Sequence, residues 1–117
     1  MPTFPANTPL IERHIAFFLF EDVKLLDATG PLQVFADANE VLGYDAYITT
    51  LASHHGGPVK TDTGTLLNTR RVAGVGLDET DTLIVCGGDG VHAASRDHRL
   101  VASVLRATEK CGRIAAT

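Results

Sequence analysis

The sequence is poor in cysteine, in basic charge and in long apolar runs, and each shortage removes a class of protein. Two cysteines, Cys86 and Cys111, in 117 residues are too few for a disulfide framework, so reduced thiols and a cytoplasmic location are expected. Ten Lys and Arg against fourteen Asp and Glu leave a formal net charge of −4, which argues against a surface built for phosphate backbones and direct nucleic-acid binding. No apolar run approaches the roughly 20 residues of a membrane span. The opening residues 1–9 are rich in proline and lack a basic end followed by an apolar stretch, so residues 1–12 are expected to be a disordered lead-in rather than a secretory signal. There is no Walker loop, dinucleotide fingerprint, Gly-x-Ser-x-Gly elbow or internal repeat.

What is present alternates between two periods. Residues 14–20 form a short continuous apolar run, the mark of a strand covered on both faces. A helix is predicted to follow, capped by Asp27 or Thr29, with Pro31 in its first turn and Gly43 at its end. Leu32, Phe35, Ala38, Val41 and Leu42 would form its buried stripe. Residues 45–52 read as a second strand, and turn signals at Gly56-Gly57-Pro58 and Asp62-Thr63-Gly64 predict a small hairpin at a sheet edge or on a face. Residues 82–86 read as a third strand ending at Gly87-Gly88. Residues 97–110 read as a helix with Leu100, Val101, Val104 and Leu105 inward, and residues 114–116 begin a fourth strand. This alternation implies one α/β domain, a doubly wound, flavodoxin-like parallel sheet with helices on both faces.

Few residues stand out as chemical candidates. Asp27, at a helix start beside a strand's carboxyl end, sits where open α/β sheets place their sites; on spacing alone it reads first as a helix cap. Gly87-Gly88-Asp89-Gly90 would let backbone N–H groups approach a ligand as an oxyanion hole, or would simply be a turn. Cys86 at a strand end reads as a buried, inert thiol, and Cys111 lies in the last turn of a helix. His54 and His55 are adjacent, so in an extended loop their side chains diverge. His92 and His98 lack ligands at metal spacing, so neither a metal nor a cofactor is expected.

Taken together, residues 13–117 resemble the ThiJ/PfpI superfamily, related to class I glutamine amidotransferases, and are most similar to the branch that forms the N-terminal domain of AraC-type transcriptional regulators. The segment Leu25-Leu26-Asp27-Ala28-Thr29-Gly30-Pro31-Leu32-Gln33-Val34-Phe35 carries that likeness, with Gly56-Gly57-Pro58-Val59 and Asp81-Thr82-Leu83-Ile84-Val85 followed by Gly87-Gly88. The resemblance implies that Asp27 is the acid that faces a reactive elbow cysteine, and that Gly88, with Gly87, helps form the oxyanion hole. It implies a small-molecule ligand and a capacity to form homodimers. The Asp27–Pro31 segment also looks like that of isonitrile hydratases, the alternative reading. Family members carry the elbow cysteine just after the strand that begins at Arg113, and usually a proline where this chain has Cys86. The 117 residues hold no counterpart of that cysteine, so they are expected to be the front part of a domain and not, as written, an enzyme. In the family's strand order the strand at residues 114–116 would be internal; without further elements it is expected to leave an unpaired edge.

Overall fold

Five consecutive buried residues, Ile15–Leu19, make β1 (Arg13–Leu19) the central strand of the molecule. A computed structural model describes residues 11–117; the expected lead-in lies almost wholly outside the described residues. After β1 come α1 (Leu25–Leu42), β2 (Tyr47–Ser53), β3 (Gly57–Lys60), β4 (Leu66–Arg71), two short 3₁₀ segments, β5 (Thr82–Val85), α2 (Val91–Arg96), α3 (His98–Lys110) and β6 (Arg113–Ala116). The strands form one sheet in the order β3-β4-β2-β1-β5-β6, parallel throughout except for the β3–β4 pair. Phe17 is level with Leu51 on one side and Ile84 on the other.

Alternation along β1 feeds two cores, because successive side chains leave a strand on opposite faces. Ile15, Phe17 and Leu19 join Val23, Ala28, Ile84 and Cys86, with Leu32 and Phe35 of α1 packed against them. Ala16 and Phe18 join Ala52, Val72, Leu83 and Ala107, with Val104 of α3 packed against them. Helices therefore cover both faces, and the expected flavodoxin-like α/β architecture is what the chain adopts.

Several local expectations are corrected. The helix α1 starts at Leu25, so Asp27 and Thr29 lie inside its first turns and Pro31 is its seventh residue. Its cap comes from elsewhere: Asp62 Oδ1 accepts from the Leu25 N–H at 3.0 Å. Leu32 and Phe35 do pack inward, but Val41 is 62% exposed. The hairpin β3–β4 extends the sheet beyond β2. The short helix α2, unforeseen in the sequence, precedes α3, and Asp97 caps α3 by accepting from the Arg99 and Leu100 N–H groups at 3.1 and 3.2 Å. The buried positions of α3 are Ser103 and Ala107, whereas Val101 and Leu105 are exposed. Small residues win there because they let the helix backbone approach the sheet. At the far side β6 pairs with β5 alone, and all four of its residues are exposed.

The hairpin does more than widen the sheet. Asp22, at a φ of 61°, turns the chain out of β1. Its N–H donates to Lys60 O at 2.8 Å, the Asp62 N–H donates to Val23 O at 3.0 Å, and the Lys60 N–H donates to Glu21 Oε2 at 3.0 Å. Thr61, fully buried, bridges to Val23 across this seam. The loop that presents α1 is thus stitched to residues 60–62.

Candidate functional site

The β1 connection leaves through α1 toward β2, and the β5 connection leaves through α2 and α3 toward β6 on the other side. Between the carboxyl ends of β1 and β5 the two connections part, and such a switch point is the usual ligand crevice of an open α/β sheet. The first turn of α1 closes one side of this crevice, held by the Lys24 N–H donating to Gly87 O at 3.0 Å.

Asp27 and the glycine turn meet here. A methyl group placed on Gly87 would lie 2.9 Å from Asp27 Oδ2 and 2.5 Å from the Thr117 carbonyl oxygen, so the carboxylate is packed directly over the Gly87 Cα. Gly88 adopts a φ of 130°, and a side chain on it would collide with the Lys24 backbone nitrogen. Both positions therefore require glycine: one for close approach, the other for approach and conformation together. The Gly87 N–H donates to Thr117 Oγ1 at 3.3 Å. The Gly88 N–H has no acceptor among the described residues, while its carbonyl accepts from the Val91 N–H at 3.1 Å. A half-buried carboxylate and an unengaged backbone donor thus share one crevice. Because Asp62 caps α1 in its place, the Asp27 side chain is left to face the crevice, with no hydrogen-bond partner among the described residues.

Cys86 lies directly beneath. It is 2% exposed, and its N–H donates to Phe18 O at 3.1 Å. Burial pushes its thiol up to about 11; a hydrogen bond with Thr117 opposes this and the Asp27 carboxylate adds to it. A thiol held so far from ionisation is a poor nucleophile. Cys111 is half-buried at the end of α3, with its sulfur 3.4 Å from the Arg113 carbonyl oxygen, and the two cysteines are not joined.

The histidines do not enter this crevice. The rings of His54 and His55 do not diverge: their centroids are 4.4 Å apart with planes tilted by 59°. The reason is a tight bend rather than an extended loop, because the Gly56 N–H turns back onto Ser53 Oγ at 2.9 Å and Gly56 adopts a φ of 74°. His54 Nδ1 lies 2.8 Å from Ser103 Oγ, linking the end of β2 to α3. His92 and His98 lie exposed on α2 and α3. Among the described residues no three His, Cys, Asp or Glu side chains are grouped to hold a metal ion, and no helix is long and apolar enough to cross a membrane.

Sequence reasoning missed two participants in the crevice and one contact outside it. Thr117 was invisible because nothing in an isolated threonine marks it as the neighbour of a distant turn. Asp62 belonged to a recognised turn, Asp62-Thr63-Gly64, but not to a recognised cap. The Ser103 contact with His54 went unmarked, because the two residues lie 49 positions apart and neither belongs to a motif.

The model of the DJ-1/PfpI family matches residues 13–117. An uncharacterized protein in the cpoL 5′ region of Streptomyces lividans is 34% identical over 101 residues, 86% of this chain and 70% of that protein. Among solved structures, an AraC family transcriptional regulator from Pseudomonas putida superposes with a TM-score of 0.60 at 26% identity, over 75% of this chain and 61% of that one. A ThiJ/PfpI family protein from Pseudomonas syringae superposes more fully, with a TM-score of 0.78 over 99% of this chain and 48% of that one; at 20% identity the likeness is one of fold. The chain spans about half to three fifths of the length of these two solved structures.

Proposed function

Because the chain belongs to the DJ-1/PfpI family, we propose that these residues form the front part of a ligand-sensing domain in an AraC-type transcriptional regulator. The observation that carries this reading is the 26% identity with the Pseudomonas putida AraC family regulator over 75% of the chain. In this reading a small molecule settles between the Asp27 carboxylate and the Gly88 N–H, and Gly87 admits it by presenting no side chain. The net charge of −4 agrees with a stretch that senses a ligand and does not itself grip nucleic acid.

A second reading rests on a different observation, the carboxylate packed over Gly87 at the mouth of the crevice. That arrangement suits an enzyme of the isonitrile hydratase type, with Asp27 as general acid and base and a cysteine outside these 117 residues as nucleophile. Cys86 is not that nucleophile, since its thiol is buried and pushed up to about 11.

The intact mass of the native product, with the codons that follow Thr117, tests both. Continuation into an elbow cysteine and then two helix-turn-helix units is the result expected of the regulator. Continuation into the cysteine and a stop soon after the sheet selects the enzyme, whose isonitrile hydration should be lost in Asp27→Asn. A native product ending at Thr117 overturns both.

A further inference from the structure

A second cavity, of about 290 Å³, opens at the same edge of the sheet but includes none of Asp27, Cys86, Gly87, Gly88 or Thr117 in its wall. Its floor is apolar: Leu19, Phe20 and Val59 are buried, and Leu100 of α3 is half-buried against them. Its rim is polar, carrying Glu21, His54, His55 and Asp97, and no lysine or arginine lines it. An apolar floor with a few convergent polar groups is the usual make-up of a small-molecule pocket.

The rim groups are held in place and yet have capacity to spare. Glu21 accepts from the Lys60 N–H through Oε2, and Asp97 accepts both α3 N–H groups through Oδ1, so each carboxylate keeps an oxygen without a partner among the described residues. The Ser103 hydroxyl fixes the His54 ring through Nδ1, and Nε2 likewise has no partner there. Burial first, then the neighbouring His55, lowers the His54 pKa, with Arg71 and Arg106 acting in the same sense and Asp97 against them. The neutral form of the His54 imidazole is therefore favoured, and Glu21 and Asp97 are the acidic groups of the rim. Arg71 and Arg106 stand outside the lining.

We propose that this cavity is a second binding site, separate from the Asp27 crevice, for a small organic amine whose apolar body rests on Phe20 and Leu100 while its ammonium group meets Glu21 and Asp97. A carboxylate ligand of the same shape would meet two like charges and no lysine or arginine in the lining. The inference goes beyond the proposed sensing role and does not depend on it, because it uses none of the residues of that crevice.

Benzylammonium is a suitable probe, with benzoate and benzyl alcohol as controls of like shape. Binding is read from NMR shifts of the His54 ring and Leu100 methyl signals. The variants are Glu21→Gln and Asp97→Asn, the second of which keeps a good helix cap, with Asp27→Asn as the control for the other crevice. Benzylammonium should shift the His54 and Leu100 signals in a saturable way. Each carboxylate variant should weaken binding by up to about fivefold, the upper end for partly exposed charges, and Asp27→Asn should leave it unchanged. Three results would each overturn the proposal: no shift at millimolar probe, benzoate or benzyl alcohol binding as tightly as the amine, or binding that responds to Asp27→Asn and not to the rim variants.

Discussion

Alkaline titration of Cys86 offers a direct measure of how dry the bottom of the crevice is. The thiol ionises near 9.0 when free and at about 11 in the folded chain. A raised pKa means that the folded state prefers the neutral thiol. Below pH 9.0 both states are protonated and the full contribution to stability is present. As pH climbs toward about 11 only the unfolded chain ionises, and folding is progressively weakened. The two-unit gap corresponds to about 2.7 kcal/mol at its limit, an order-of-magnitude figure. Urea unfolding across this range, in a Cys111→Ser background so that one thiol remains, should show a midpoint that falls more steeply with pH than in the Cys86→Ala variant. Lysine and tyrosine ionisation affect both proteins alike, so the difference between the two curves isolates Cys86. Asp27→Asn removes a carboxylate that adds to the upward shift, and should reduce the alkaline loss. Identical alkaline slopes with and without Cys86 would refute the reasoning, because they would mean that water reaches the thiol.

Three further outcomes follow from the packing. Asp62→Ala should cost about 1 kcal/mol of stability as a lost helix cap, whereas Asp27→Asn should cost less than half of that; chemical denaturation of both variants checks the order, and a reversed order would restore Asp27 as the cap. Gly88→Ala forces a methyl group against the Lys24 backbone at a φ of 130° and should destabilise the chain by roughly 2–3 kcal/mol, read as a lower denaturant midpoint. The 117-residue polypeptide presents β6 as an exposed edge with Ile114 53% accessible, so sedimentation should show self-association that Ile114→Lys reduces; a monodisperse monomer with a sharp two-state melt would contradict this.

Features fixed by local pattern were legible in the sequence. The unbroken apolar run of β1 could only be a doubly covered strand, and the alternation of strands with helical periods gave the layered sheet. The meeting of Asp27 with Gly87 was anticipated only through the family resemblance, because the pattern of strands and helices does not say that β1 and β5 are neighbours. What escaped depends on distant partners or on small residues. The cap of α1 is supplied 37 residues downstream. The inward face of α3 runs through Ser103 and Ala107, which a search for large apolar side chains passes over. The tilted contact of His54 with His55 goes with the left-handed Gly56, whose effect on its neighbours a linear reading as an extended loop does not register. The helix α2, Val91–Arg96, is too short and too rich in alanine and serine to show a stripe.

The seam between the β1–α1 loop and residues 60–62 has a consequence for the order in which the molecule can be assembled. During synthesis α1 emerges before the residues that will cap it exist, and its first N–H groups wait on solvent until Asp62 leaves the ribosome and the β3–β4 turn swings in. The helix body can form early, but the hold on its first turn comes in two later stages, first from Asp62 of the hairpin and then from the Gly87 carbonyl after β5. In a growing chain the Asp27 wall of the crevice is therefore steadied from behind before the glycine wall that faces it has been made.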